Sequence, residues 1–430
     1  MSVVSEPSRS AHPLVRAVRD IPATERAAFG PQDRAAPPPQ WRTVAVGVLL
    51  AALLLLGVAR VAPATMVGTA ALGLALGFVL FHSRFGFTSG WRQLVSVGQG
   101  AGLRAHMLML GTAAVLFAVV LASGVALAGE PRGLISPIGI PLVVGAFLFG
   151  LGMQVGGSCA SGTLFAVGSG QSAIVLTLFG FVVGSVLAAM SYAFWTQTVP
   201  QGPSVNLAQL LGYPGALLVT LLALAVITAL TWGLARRRTP PPVQRPPSAR
   251  GIARALRGSW PMWVGAIALG VLNAAVLFVS AAPWGVTSAF ALWGSKILQF
   301  LGVDVASWTY WQVPANASSL AGPVLADRVS NLDFGIMVGA LVASAAGGAF
   351  VLHRRIPWKL GLGAVVGGIA MGYGARLAGG CNIGAYFSGI ASFSLHGWIW
   401  AVVALAGTWA GLRMRPLFGL ANPKPADSIC

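Results

Sequence analysis

The stretch Gly150-Leu-Gly-Met-Gln-Val-Gly-Gly-Ser-Cys159-Ala-Ser-Gly162 occurs twice in this chain. The second copy reads Gly372-Tyr-Gly-Ala-Arg-Leu-Ala-Gly-Gly-Cys381-Asn-Ile-Gly384. A shift of 222 positions places Gly145 on Gly367, Gly150 on Gly372 and Gly152 on Gly374. The same shift brings Gly157 onto Gly379, Cys159 onto Cys381 and Gly162 onto Gly384. Matches at that many glycines around a shared cysteine make a repeat, and a repeat of this kind restricts the fold to two related halves.

Apolar runs, Ile140–Met153 and Leu360–Met371, lead into both copies. In lipid, small residues let helix backbones approach closely, and Gly152/Gly156 and Gly368/Gly372 have that spacing. The Gly-Gly-Ser-Cys and Gly-Gly-Cys-Asn ends should break their helices. Irregular backbone at membrane depth survives only where protein buries it or a cavity runs beside it. Broken helices at matching places in two halves are the sequence pointer to a solute site. The competing reading makes both cysteines small buried apolar residues between tightly packed helices.

Composition agrees with a membrane solvent. Hydrophobic residues make up 56% of the chain, charged residues 8%, and the mean hydropathy is +0.79. The fold class expected is therefore an all-α polytopic membrane protein. A net charge of +18 resembles a nucleic-acid signal, but the arginines gather in the tail and in loops between spans, and no nucleic-acid partner is expected. Three cysteines give no disulfide framework. Cys430, the last residue, does not end a C-a-a-X box.

About ten spans are expected, at 43–62, 64–82, 104–128, 138–157, 171–195, 213–235, 261–282, 334–352, 359–379 and 396–415. They divide the chain into a disordered cytoplasmic tail (1–41), a first membrane half (42–235) and a basic Pro/Arg-rich cytoplasmic loop (236–259). A second membrane half (260–416) and a C-terminal tail (417–430) follow. No apolar stretch precedes the first span, so a cleaved signal peptide is not expected. Starting inside, this order leaves Arg84, Arg92, Arg104, the 236–259 arginines, Arg355 and Lys359 in the cytoplasm, together with both termini. Segments 129–137, 196–212 and 303–333 fall outside. Glu130, Asp304, Asp327 and Asp333 are all expected in loops, which leaves no carboxylate in a span for a proton relay.

A fainter repeat supports the halves. Phe85-Gly86-Phe-Thr88-Ser89 matches Trp284-Gly285-Val-Thr287-Ser288. Each half thus offers a Gly-x-Thr-Ser break and, two spans later, a Gly-rich Cys break. The span before Cys159 is read as running inward and the one before Cys381 outward, an inverted-topology repeat.

With Gly-x-Gly-x-x-x-x-Gly-[Ser/Gly]-Cys-x-x-Gly at 150–162 and 372–384, and Arg84-Phe-Gly-Phe-Thr-Ser before them, the chain resembles the YeeE/YedE family of sulfur-compound transport proteins. The resemblance covers about 43–235 and 260–416. It implies an inner-membrane fold of two inverted halves and uptake of thiosulfate or a related small sulfur-containing anion along membrane-buried cysteines. Cys159 and Cys381 would be the relay thiols. The family's further cysteine, expected in the first break, corresponds here to Gly86, which leaves other sulfur oxyanions, sulfide-like species or selenium compounds open. A cytoplasmic sulfur-carrier or sulfurtransferase partner is implied by the resemblance alone.

The residue chemistry fits a small anion. Helix N-termini after each break expose unpaired N–H groups. Ser158, Ser161, Thr163, Asn382, Thr88, Ser89, Thr287 and Ser288 add neutral donors beside Gly157, Gly380, Gly86 and Gly285. Arg376, in a largely apolar span where the repeat partner is Gln154, is a functional candidate by default, with a structural pair as its other reading. Lys296 is read as an interface anchor, and so are His82, His106, His353 and His396. A thiol in apolar surroundings stays neutral and does not repel an anion, which favours hydrogen-bonded hand-over. Rival readings are a membrane thiol redox protein, a channel for another small solute and a scaffold for a sulfurtransferase. There is no P-loop, dinucleotide fingerprint or metal-ligand spacing, so no cofactor is expected.

Overall fold

The computed structural model describes residues 37–238, 240, 251, 253–352 and 355–423. Most of the 1–41 tail lies outside the described residues, as do His353, Arg354, Cys430 and Arg245 and Arg250 of the basic loop. Ten helical stretches among the described residues are long and apolar enough to cross a membrane, and each overlaps one expected span.

The first half holds α1 (Trp41–Val61), α2 (Ala64–Ser83), the short α3 (Phe87–Val97) and α4 (Ala101–Ser123). It continues with α5 (Ile140–Val155), the short α6 (Ala160–Gly168), α7 (Ser172–Met190) and α8 (Leu207–Arg238). The second half holds α9 (Met262–Ser280), α10 (Thr287–Phe300), α11 (Arg328–Ala346), α12 (Trp358–Leu377) and α13 (Leu395–Met414). Between α12 and α13 the chain makes a π-helical turn, Asn382–Ser388. Gly212 takes non-helical backbone and Pro214 follows it, so α8 is kinked near its start.

One expectation about charge is overturned. The α11 helix begins at Arg328, earlier than the expected 334, because the Asp327 carboxylate accepts a bond from the Ser330 N–H at 2.7 Å and caps it. Asp333 therefore lies inside a membrane-length helix, fully buried, and not in a loop.

Glycine sets the helix spacing. Gly145 of α5 lies against Gly374 of α12, and Gly152 lies against Gly367, so the two helices run antiparallel with backbones in contact. Each glycine meets the repeat equivalent of the other, the exchange that a two-fold axis between helices produces. The pattern extends outward. Gly372 of α12 meets the Phe181 carbonyl of α7, while Gly150 of α5 meets the Ala404 carbonyl of α13. Likewise α2 packs on α11 and α4 on α9. Lipid supplies no hydrophobic drive between helices, so this close backbone approach holds the bundle together by dispersion.

Connections gather at two ends. At one end, called upper below, Arg132 N–H bonds the Ala281 carbonyl, Ile138 bonds Pro203, and Leu134 bonds the Ser392 hydroxyl. At the lower end Gln40 bonds the Ala345 carbonyl and Trp260 bonds His82. Both breaks lie within the largest hydrophobic core cluster, which includes Cys159 and Cys381.

Candidate anion site at two broken helices

Both cysteine breaks have one backbone design. Gly157 and Gly379, equivalent by the repeat, are left-handed at φ 80° and 68°. Such φ values cost an L-residue roughly 1–2 kcal/mol, which accounts for glycine at both. Two residues later Cys159 (φ −94°, ψ −174°) caps α6 and Cys381 (φ −101°, ψ −166°) caps the π-helical turn, both extended. Each thiol therefore stands at a helix N-terminus. Cys381 Sγ accepts from the Ile383 N–H at 3.4 Å, and Cys159 Sγ lies 3.8 Å from Ser161 Oγ.

The structure brings the two breaks together. Asn382 Nδ2, next to Cys381, reaches Met153 Sδ, six residues before Cys159, at 3.8 Å, and both cysteines belong to one core cluster. Both are free and buried. Cys381 has no exposed surface and Cys159 keeps 2%, so neither thiol is open to solvent in this conformation.

Above Cys381 a cavity of about 300 Å³ opens at the upper end. Arg132, Arg328 and Arg376 line it with no carboxylate among the lining residues, and Gly379, Gly380 and Gly384 place it beside Cys381. Gly285, Thr287 and Ser288 of the second Gly-x-Thr-Ser break complete the wall. A Cβ at Gly384 would meet nothing within 4 Å, and at Gly285 only Val329 at 3.9 Å. Two of the arginines are held in place by neutral acceptors. Arg376 donates to Tyr310 Oη at 2.7 Å and to Thr287 Oγ1 at 2.9 Å, and Arg328 donates to the Pro283 carbonyl at 2.9 Å. With no carboxylate among the cavity's lining residues, these guanidinium groups can meet a small anion through charge-assisted bonds.

The lower counterpart is neutral at the matching position. Gln154 Nε2 donates to the Thr88 carbonyl at 3.3 Å, and the Gln154 main-chain carbonyl accepts from Arg415 at 2.8 Å. Gly86 caps α3 in extended backbone. The Thr88 hydroxyl is buried without a partner, Ser158 is buried, and Gly157 keeps some exposed surface with open space where a Cβ would stand.

Sequence reading missed Arg132 and Arg328, although basic residues on segments read as external were a signal against the usual charge bias. It also misplaced three histidines. His82, His106 and His396 are buried and do not anchor the surface. His82 Nδ1 lies 2.9 Å from the Gly258 carbonyl, His106 packs between Phe85 and Phe87, and His396 Nδ1 lies 2.6 Å from Ser394 Oγ. Lys296 donates to the Leu320 carbonyl at 2.8 Å.

Comparison with known proteins agrees with this architecture. The chain is 28% identical over 347 residues to the thiosulfate transporter TsuA of Escherichia coli (strain K12), covering 78% of this chain and 91% of the relative. It is 25% identical over 352 residues to the thiosulfate transporter TsuA of Spirochaeta thermophila, covering 78% and 95%. The probable transporter YedE of Escherichia coli (strain K12) is 36% identical over 155 residues, and the chain spans only 37% of that protein's length. The family described as Sulphur transport matches residues 82–410, most of the chain. The chain belongs to the YeeE/YedE sulphur-transport family of membrane proteins.

Proposed function

We propose that this protein takes up thiosulfate or a related small sulfur-containing anion across the inner membrane, with the upper end outside and both termini cytoplasmic. The observation carrying this reading is the cavity lined by Arg132, Arg328 and Arg376 with no carboxylate, ending on the glycines beside Cys381. A dianion loses hydration there in exchange for charge-assisted N–H bonds. It then meets the Cys381 thiol and the Ile383 N–H at one helix terminus, and Cys159 at the next. Neutral thiols donate weak S–H bonds and offer soft sulfur to a terminal sulfur atom, so the anion is held briefly and released.

The two halves act as an inverted repeat, supported by the glycine exchange between α5 and α12. Opening toward one side would free Gly379–Cys381, and toward the other Gly157–Cys159. No step alters the anion, so the protein acts as a transporter and not as an enzyme. A cytoplasmic sulfur carrier or sulfurtransferase would collect the product.

The test is accumulation of labelled thiosulfate by proteoliposomes. Cys159→Ala and Cys381→Ala should each abolish it while remaining monodisperse in detergent. Unchanged uptake in both variants would remove the thiols from the mechanism, and no uptake by the parent protein would remove the substrate assignment.

A further inference from the structure

Asp333 is the one acidic residue whose burial inside the bundle is complete and unexplained among the described residues. It has no exposed surface, and neither carboxylate oxygen has a hydrogen-bond partner. Its place on α11 is informative. Residues four apart share a helix face. Val329, one turn above, lines the arginine cavity. The Met337 carbonyl, one turn below, packs against Gly168 of α6, the half-helix that Cys159 caps. Asp333 thus lies on α11 one turn from the arginine cavity and one turn from the contact with the half-helix that Cys159 caps.

Among the described residues no cation is bonded to it. Of the basic groups on elements packed against α11, Arg42 and Arg60 of α1 are exposed. His82 of α2 is bonded to the Gly258 carbonyl and Lys296 of α10 to the Leu320 carbonyl. Arg254 and Arg257, in the short helix Ala253–Arg257, bond the Ser259 and Pro37 carbonyls. Arg328 donates to the Ala282 and Pro283 carbonyls. The neighbouring carboxylate, Asp327, is occupied by the Ser330 N–H and hydroxyl.

An unpaired carboxylate is costly to bury and repels an approaching anion, whereas a carboxylic acid is neutral and donates a hydrogen bond to one. We propose that Asp333 is a proton-coupling site: the anion passes from the arginine cavity toward the cysteines only when Asp333 carries a proton, and that proton leaves with it. The proton comes from water in the upper cavity, binds one carboxylate oxygen and is released to water at the lower end; no covalent bond of the anion changes. This rests on the uptake reading above and supplies it with a driving force, since moving a dianion toward a negative interior is opposed by the membrane potential.

The experiment uses proteoliposomes holding the full chain, with labelled thiosulfate outside and an imposed pH difference. Two readouts are taken, net accumulation and exchange against unlabelled thiosulfate loaded inside. With one proton per anion, each unit of inwardly directed pH gradient should raise the steady-state accumulation ratio of the parent protein about tenfold. Asp333→Asn, which keeps shape and a donor, should exchange thiosulfate yet show accumulation indifferent to the gradient. Gradient-driven accumulation retained by Asp333→Asn, or exchange by the parent protein with no response to pH, would overturn the coupling while leaving uptake intact. Absence of any flux in the parent protein would remove the uptake reading and the coupling with it. If Asp333→Asn neither exchanges nor folds, Asp333→Glu decides: a gradient response that persists supports the acid, and its loss with exchange retained overturns it.

Discussion

Arg376 donates a hydrogen bond to Thr287 at the upper break, at 2.9 Å, and Gln154, its repeat equivalent, donates to Thr88 at the lower one, at 3.3 Å. In both halves the residue at this repeat position reaches the Gly-x-Thr-Ser break, above by a guanidinium on the Thr287 hydroxyl and below by an amide on the Thr88 main-chain carbonyl, with Arg415 held on the Gln154 carbonyl.

Replacing Arg376 by Gln makes the upper break resemble the lower. The variant should raise the KM for thiosulfate uptake about 10–100-fold, as loss of one charge-assisted contact of about 1.5–3 kcal/mol implies. Arg376→Lys should recover only part of this, because a single ammonium cannot bond Tyr310 and Thr287 in the same fork. Initial rates against thiosulfate concentration check it. An unchanged KM would mean that the guanidinium serves only to brace Tyr310.

Two glycines should respond in opposite ways to one added methyl group. A Cβ at Gly367 would run into the backbone of Gly152 and Gly156, where nothing can rotate aside. Gly367→Ala should destabilise the bundle by about 1–3 kcal/mol or more, the usual cost of overpacking. At Gly384 no atom lies within 4 Å of a Cβ. Gly384→Ala should melt like the parent protein in detergent, yet slow uptake, because the methyl group enters the cavity beside Cys381. Equal melting losses in both would show that Gly384 is packed and not open.

The spans, the two cysteine breaks and the Gly-x-Thr-Ser breaks were legible because hydropathy and glycine spacing are local signals. The helix start at Arg328 was not, since it depends on an Asp327 side chain folding back onto Ser330. A run judged by hydropathy begins only after the polar Ser330-Asn331-Leu332-Asp333 stretch, so hydropathy alone puts Asp333 in a loop. Arg376 stood out from its apolar neighbours, whereas Arg132 and Arg328 lie far apart in sequence and meet only through the upper connections. The burial of the histidines is not legible in the sequence, because position near a span end says nothing about which face a side chain takes. His106 turns inward to an aromatic cluster with Phe85, Phe87 and Tyr386.

The left-handed glycines of the two breaks offer a stability test of the repeat. Both Gly157→Ala and Gly379→Ala should lose about 1–2 kcal/mol from the unfavourable φ alone. Gly379→Ala should lose more, because its Cβ would stand 2.6 Å from Ser136 Oγ while Gly157 faces open space. Thermal melting of the two purified variants ranks them. The reverse order would mean that the break at Gly157 closes more tightly than its geometry indicates.

Gly86 is where the family resemblance places a cysteine and this chain has none. A Cβ there would meet the Ser89 hydroxyl at 2.6 Å and Ser89 Cβ only at 3.7 Å. Ser89 Oγ donates to the Gly86 carbonyl at 3.1 Å, so turning it aside sacrifices one hydrogen bond, about 1 kcal/mol. The extended backbone at Gly86, φ −129° and ψ 118°, suits any L-residue. Gly86→Cys should therefore fold, with a thiol entering the lower break near Thr88. If a third thiol extends the hand-over, thiosulfate uptake should rise while sulfite uptake stays level, since sulfite carries no terminal sulfur for a soft contact. Parallel initial rates for the two anions decide it: equal changes in both would assign the effect to packing at the break and not to sulfur recognition.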